Sequence, residues 1–291
     1  MIINACEIHN IAKLHKKILN KNYDFIIVGS GPAAISLYKS LIKKNLFKIL
    51  IIEKGNFEKN KYEKIQYTSL PIKKKSRVFA VGGTSNLWSN ISSYFEKTEM
   101  KLRYKKKNRS VWPLTDNDLI KLYKKIDKSY GFNFSKIKLL KVDIPFKVRN
   151  FIGKINPIKF KDFIKTSEVD LIYNCEVLTI DEYKNKASID FMLKQKIEKI
   201  FSKKVILCCG GIESTALILK SLENNKIKML RNKKMVGRNF MEHPKFTLGF
   251  LKYPKINLIK KLELKYNKEN LSYFGVSMTN KDQRMNNILN S

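Results

Sequence analysis

Gly29, Gly31 and Ala34 are spaced as G-x-G-x-x-A, a pattern that can bring backbone against a pair of phosphates. The first glycine permits a tight turn after a strand, and the second admits an anionic group close to the chain. The small third residue lets the next helix pack on that strand. With Ser30, Pro32 and Ala33 between and beside them, these residues form a candidate phosphate cradle. The same chemistry asks for an acid roughly 20 residues on, closing the next strand, to accept from a ribose hydroxyl. Glu53 stands 24 positions after Gly29, followed by Lys54. The constellation predicts an anionic dinucleotide and leaves open which one.

The elements that must position these residues are readable around them. Phe25 to Val28 is a short apolar run, mostly β-branched, as in a strand buried on both faces. Pro32 to Lys44 places Ala34, Leu37, Tyr38, Leu41 and Ile42 on one helical face, with its positive N-terminal end toward the phosphates. Phe47 to Ile52 is a second buried strand leading to Glu53.

A second glycine turn follows a long loop over residues 55 to 76. Gly82 and Gly83, with Thr84, Ser85 and Asn86, offer backbone able to lie against a flat ring or a phosphate, with hydroxyl and amide donors close by. Residues 204 to 211 read as another buried strand ending in Gly210 and Gly211, with a helix over Ile212 to Leu222. This is a second strand-glycine-helix unit, and Cys208 and Cys209 read as its small strand residues.

The remaining segments carry packing more than chemistry. Residues 8 to 19 predict a leading helix within a 1–22 arm. Thr115 and Asp118 signal the start of a helix that ends at Gly131. Residues 135 to 168 are weakly patterned, 169–180 and 187–192 read as strands joined by a turn at Lys184 to Lys186, and 245–291 shows no closing element.

Composition limits the class. The chain has 291 residues, 43% of them hydrophobic, which suits a globular fold. Its formal net charge is +34, but seven arginines stand against 52 lysines spread along the whole chain, with short runs at Lys73 to Lys75 and Lys105 to Lys107. Nucleic-acid recognition would favour arginine forks and interleaved aromatics, so a solvated basic surface is expected and no specific nucleic acid. Four cysteines fit neither a disulfide framework nor metal-ligand spacing, and no metal site is expected; His9 and His15 read as surface residues. No apolar run approaches the ~18 residues of a membrane-spanning helix, and no signal peptide is evident. A cytoplasmic protein is expected.

The motifs together resemble the glucose-methanol-choline oxidoreductase family, particularly bacterial members of the sugar-oxidase type. The resemblance rests on the glycine turn with Glu53, Gly82 to Trp88, Trp112-Pro113, Cys209 to Ser214, and Val236 to Pro244, in the family's order. It implies an α/β fold: a Rossmann-like three-layer FAD-binding domain over 23–100 and 169–244, with an interleaved, incomplete α+β substrate domain over 101–168 and 245–291. It implies FAD as cofactor, held by the residues named above and by backbone at Val177 near the adenine. Some sugar oxidases of the family bind flavin covalently through a histidine where this chain has Leu87, so non-covalent FAD is expected.

The implied activity is hydride transfer from a CH–OH carbon of a small alcohol or sugar to the flavin. The family's catalytic histidine lies in a C-terminal part for which this chain has no counterpart; its last histidine, His243, falls in the His-Pro segment before the substrate domain. No catalytic residue is therefore assigned. The expectation is an N-terminal fragment with weak or partner-dependent FAD affinity, completed if at all by a separate C-terminal chain. A non-catalytic FAD-binding remnant or scaffold, and a polyanion-binding protein, are the alternatives.

Overall fold

The computed structural model describes residues 1–8, 18–43, 47–61, 63–65, 76–95, 114–132, 134, 137, 139–140, 146–165, 167–227, 233–238, 240, 265–266 and 269–286. Residues 9–17 of the leading helix expected over 8–19, Trp112-Pro113, both lysine runs and all three histidines lie outside them.

In chain order the strands are β1 (Ile2–Asn4), β2 (Tyr23–Val28), β3 (Ile49–Ile52), β4 (Glu63–Ile65), β5 (Arg77–Phe79), β6 (Leu139–Leu140), β7 (Lys147–Lys154), β8 (Asp170–Tyr173), β9 (Glu176–Glu182), β10 (Ala187–Leu193), β11 (Lys196–Leu207), β12 (Lys265–Tyr266) and β13 (Asn270–Ser277). The helices are α1 (Pro32–Ile42), α2 (Asp116–Tyr130), α3 (Gly210–Glu223) and α4 (Asn280–Met285). They fall into two compact units, one from Met1–Leu87 and Lys159–Glu242, the other from Trp88–Ile158 and His243–Ser291.

The first unit is built on a mixed sheet in the order β1-β8-β3-β2-β11-β10-β9. Its first four pairings are parallel and the last two antiparallel. Ile26, Ile27, Leu50, Ile51, Leu171 and Ile172 are all buried, so both faces of the parallel part are covered, which is why β2 and β3 are unbroken apolar runs. α1 packs Ala34, Ile35 and Tyr38 inward, with proline in its first turn where the missing N–H costs nothing. The Tyr38 hydroxyl donates to the Phe163 carbonyl and ties α1 to the segment Phe160–Phe163.

Strands β8 and β9 correct the single strand expected over 169–180. Asn174, at φ 55, turns the chain out of β8, a left-handed conformation that asparagine tolerates. Tyr173 and Glu176 are three residues apart and can span at most about 11 Å. In the pairing order their strands are five positions apart, about 24 Å in a flat sheet. The antiparallel part must therefore curl back toward β8, helped by a register shift between Asp190 and Phe191. Ile189, Phe191 and Leu193 accordingly share one core cluster with Leu50 and Ile172.

Ile2–Asn4, ahead of the helix expected over 8–19, is a strand pairing with β8. Two other sequence expectations are corrected. The loop over 55–76 contains β4, paired with β5. The weakly patterned stretch 135–168 contains the eight-residue β7, whose partner is β13 from the tail.

The second unit contains the sheet β12-β13-β7-β6. Its helix α2 starts with a full capping box between Thr115 and Asp118 and ends at Gly131 with φ 67. No helix among the described residues is long and apolar enough to cross a membrane.

Candidate functional site

The carboxyl ends of the parallel strands of the first unit open into a cavity of about 490 Å³. A cavity there follows from topology: β2 is flanked by β3 on one side and β11 on the other, so crossovers leave its end in both directions. The volume lies in the range of small-molecule and cofactor sites.

The cavity walls come from glycine turns, strand ends, β5 and one face of α3. Gly29 leaves β2 at φ 90 and donates its N–H to the Ile52 carbonyl at 2.8 Å. A Cβ at Gly29 would lie 2.8 Å from the Cys208 carbonyl oxygen, so this glycine is needed by the fold itself. Gly31 differs, since a Cβ there would meet only that oxygen, at 3.9 Å. Gly211 would meet nothing within 4 Å. These two positions leave open backbone beside the cavity.

Both helices that start at the cavity do so without a side-chain cap. The N-cap of α1 is Gly31 and that of α3 is Cys209, and neither receives a capping side chain. α2, in the second unit, has a complete capping box. The first N–H groups of a helix have no partner within it, and two bare positive ends at one cavity suit an anion.

Of the sequence-predicted residues, Gly29, Ser30, Gly31, Pro32, Ala33, Glu53, Lys54, Gly83, Thr84, Val177, Gly210 and Gly211 line the cavity. Ala34, Gly82, Ser85 and Asn86 stand behind it. Ala34 is buried on the inward face of α1, where its small size permits close packing. Asn86 donates to the Val81 and Gly83 carbonyls at 3.0 and 2.8 Å, and Ser85 Oγ donates to the Gly82 carbonyl at 2.6 Å. The Ser85 and Asn86 donors expected to face a ligand hold their own turn instead.

Glu53 is only 6% exposed. Its Oε2 accepts the N–H and the hydroxyl of Ser30 at 2.9 and 2.6 Å, and its Oε1 accepts the Gly55 N–H at 2.8 Å. Burial pushes the Glu53 carboxyl above the usual carboxylate range, against the pull of these donors. Lys54 turns outward to Glu176 Oε1 at 3.0 Å and lies over the Phe79 ring.

Residues missed at the sequence level include Arg77 and Phe79 of β5, Cys208 and Cys209, and one face of α3 with Glu213, Ala216, Leu217 and Lys220. The α3 face was findable, because those positions recur at helical spacing from the glycine pair. Burial raises both the Cys208 and Cys209 thiols, which argues for packing rather than reactivity. Among the described residues no group of histidine, cysteine or carboxylate side chains could hold a metal ion. His243 is not among the described residues.

The fold is shared with a solved oxidase. A pyridoxine 4-oxidase from Mesorbium loti matches with a TM-score of 0.50 at 16% identity, over 69% of this chain and 52% of that one. A fungal aryl-alcohol oxidase aligns at 0.45 and 12% identity, over 70% of this chain and 48% of that one. A formate oxidase aligns at 0.45 and 12%, over 69% and 48%. This chain thus spans about half the length of the pyridoxine 4-oxidase chain, and at such identity the likeness is one of fold. No family model and no curated protein matches the sequence.

Proposed function

We propose that this chain binds FAD non-covalently and serves an oxidoreductase of the glucose-methanol-choline type, acting on the CH–OH group of a small alcohol or sugar. The observation that carries the reading is the cavity where two helices start uncapped beside glycines with open space, next to a buried acid. A dinucleotide's pyrophosphate matches the helix ends and its ribose the acid. The fold shared with a pyridoxine 4-oxidase and the family motifs in their order favour FAD over NAD.

In this reading Gly31, Gly210, Gly211 and the first turns of α1 and α3 hold the pyrophosphate, and Glu53 meets the adenosine ribose. Val177 lies along the adenine, and Gly83 and Thr84 reach toward the flavin side. Bound FAD supplies the hydride-accepting redox chemistry. The chain's own residues bind it, orient it and keep water from its phosphates. Leu87, 41% exposed, has no nucleophile with which to tether a flavin. No proton acceptor is assigned among the described residues.

The test is a visible absorption spectrum of the purified chain, before and after heating and filtration. Flavin bands that pass into the filtrate are expected. A colourless protein that FAD does not reconstitute would overturn the reading.

A further inference from the structure

Ser30 occupies a position that the glycine pattern leaves unspecified. The residue is 0% exposed to bulk solvent and is among those that line the cavity. The Oγ–H donates to Glu53 Oε2 at 2.6 Å, reinforcing the Ser30 N–H bond to the same oxygen at 2.9 Å. The same Oγ accepts the Gly82 N–H at 3.0 Å. One hydroxyl joins the turn after β2, the acid after β3 and the second glycine turn.

That second turn is held from its other side. Ser85 Oγ accepts the Phe160 N–H at 3.3 Å and donates to the Gly82 carbonyl. Gly82 sits at φ 90, and a Cβ there would lie 2.9 Å from the Lys161 nitrogen, so the turn has little room to move. The donors run in one direction, from the Gly82 N–H through the Ser30 hydroxyl to the Glu53 carboxylate. In a buried setting each such bond polarises the next.

We infer that Ser30 is a positioning residue: its hydroxyl fixes the Glu53 carboxylate for the ribose of the bound dinucleotide and sets the Gly82 turn on the same site. The inference rests on the cofactor reading above. An alanine at position 30 leaves the Gly82 N–H without its acceptor and Glu53 with one donor fewer. Glu53 then holds its proton to higher pH, and its neutral form is the weaker acceptor for a ribose hydroxyl.

Other ionisable groups surround the cavity: Lys54 and Glu176, paired with each other, Arg77 on β5, and Glu213 and Lys220 on α3. The thiols of Cys175, Cys208 and Cys209 stand there too, raised by burial. All are common to every variant below, so a shift between variants reports on the Ser30 hydroxyl.

The experiment is calorimetric titration with ADP and with FAD from about pH 5 to about pH 8, on the whole chain, wild type against S30A, S30T and E53Q. For S30A, ADP affinity is expected to fall about tenfold, and the acid limb of binding to move up by about one pH unit. S30T, which keeps the hydroxyl, restores both. In the E53Q background the second change S30A shifts the pH profile no further, because the two residues act as one unit. Should S30A not fold, S30C takes its place, filling the same space with a weak donor and giving the same upward shift. Wild-type affinity and pH profile in S30A overturn the inference and leave the cofactor reading standing. So does an affinity loss with no pH shift, the mark of a merely structural residue. A wild-type chain that binds neither ADP nor FAD overturns both.

Discussion

The Gly83 backbone lies against Gly31: a Cβ built on Gly83 would come 3.0 Å from the Gly31 Cα. The two glycine turns, about 50 residues apart in sequence, meet backbone to backbone. The contact separates the jobs of the two glycines, because Gly83 sits at φ 58 and needs its conformation, whereas Gly31 does not.

G31A should therefore be nearly silent in thermal unfolding. Its φ of −69 suits any residue and the new methyl meets no close atom. FAD or ADP affinity, measured by titration, should fall at least tenfold as the methyl takes space a phosphate needs. G83A should instead lower the unfolding midpoint, through a stability loss of about 1–2 kcal/mol for a left-handed alanine alone. A G31A protein that binds FAD like wild type would remove Gly31 from the cradle.

Gly211 allows an opposite pair of signs in one variant. It lies in the first turn of α3, and nothing stands within 4 Å of an added Cβ. G211A should raise stability by up to about 1 kcal/mol, since alanine gives up less backbone entropy in a helix. The same methyl should lower FAD affinity. Differential scanning calorimetry and titration on one preparation check both signs.

Glu53 predicts a pH dependence for the ligand-free chain. Its folded-state carboxyl is raised by burial, so its contribution to stability is full below the ordinary glutamate range. That contribution is lost as pH rises through the raised value. Unfolding midpoints of wild type should accordingly decline across that window more than those of E53Q. Parallel curves for the two proteins would contradict the assignment.

Tyr38 supplies a control remote from ligand chemistry. Y38F removes a fully buried hydroxyl that donates to the Phe163 carbonyl. A loss of about 1–3 kcal/mol is expected, because the carbonyl is left without that donor. FAD affinity should stay within twofold of wild type. A large affinity loss would mean that the contact of α1 with Phe160–Phe163 shapes the cavity.

The local parts of the site were legible because their information is local. A strand, a glycine turn, an amphipathic helix and an acid 24 positions on are fixed by neighbours in sequence, as are the cap of α2 at Thr115 and its stop at Gly131. Hydrophobic period and turn chemistry act over a few residues, and both read through the lysine-rich background. The strand β7 did not, since its pattern is interrupted by Lys147, Arg149 and Asn150, and its pairing partner β13 lies more than a hundred residues away.

By itself the sequence determined where the glycines, the acid and the helix starts would stand. Only the tertiary structure decided which way their side chains face. Ser30 reads as part of the phosphate cradle and Ser85 as a ligand donor, yet both hydroxyls are spent inside the protein, on Glu53 and on Gly82. Likewise the single strand expected over 169–180 became two, five positions apart in the pairing order of one curled sheet. The physical reason is that buried polar groups must find partners, and some of these arrive from distant segments only when the chain has folded: Glu53 for Ser30, the Phe160 N–H for Ser85, and β1 and β3 for β8.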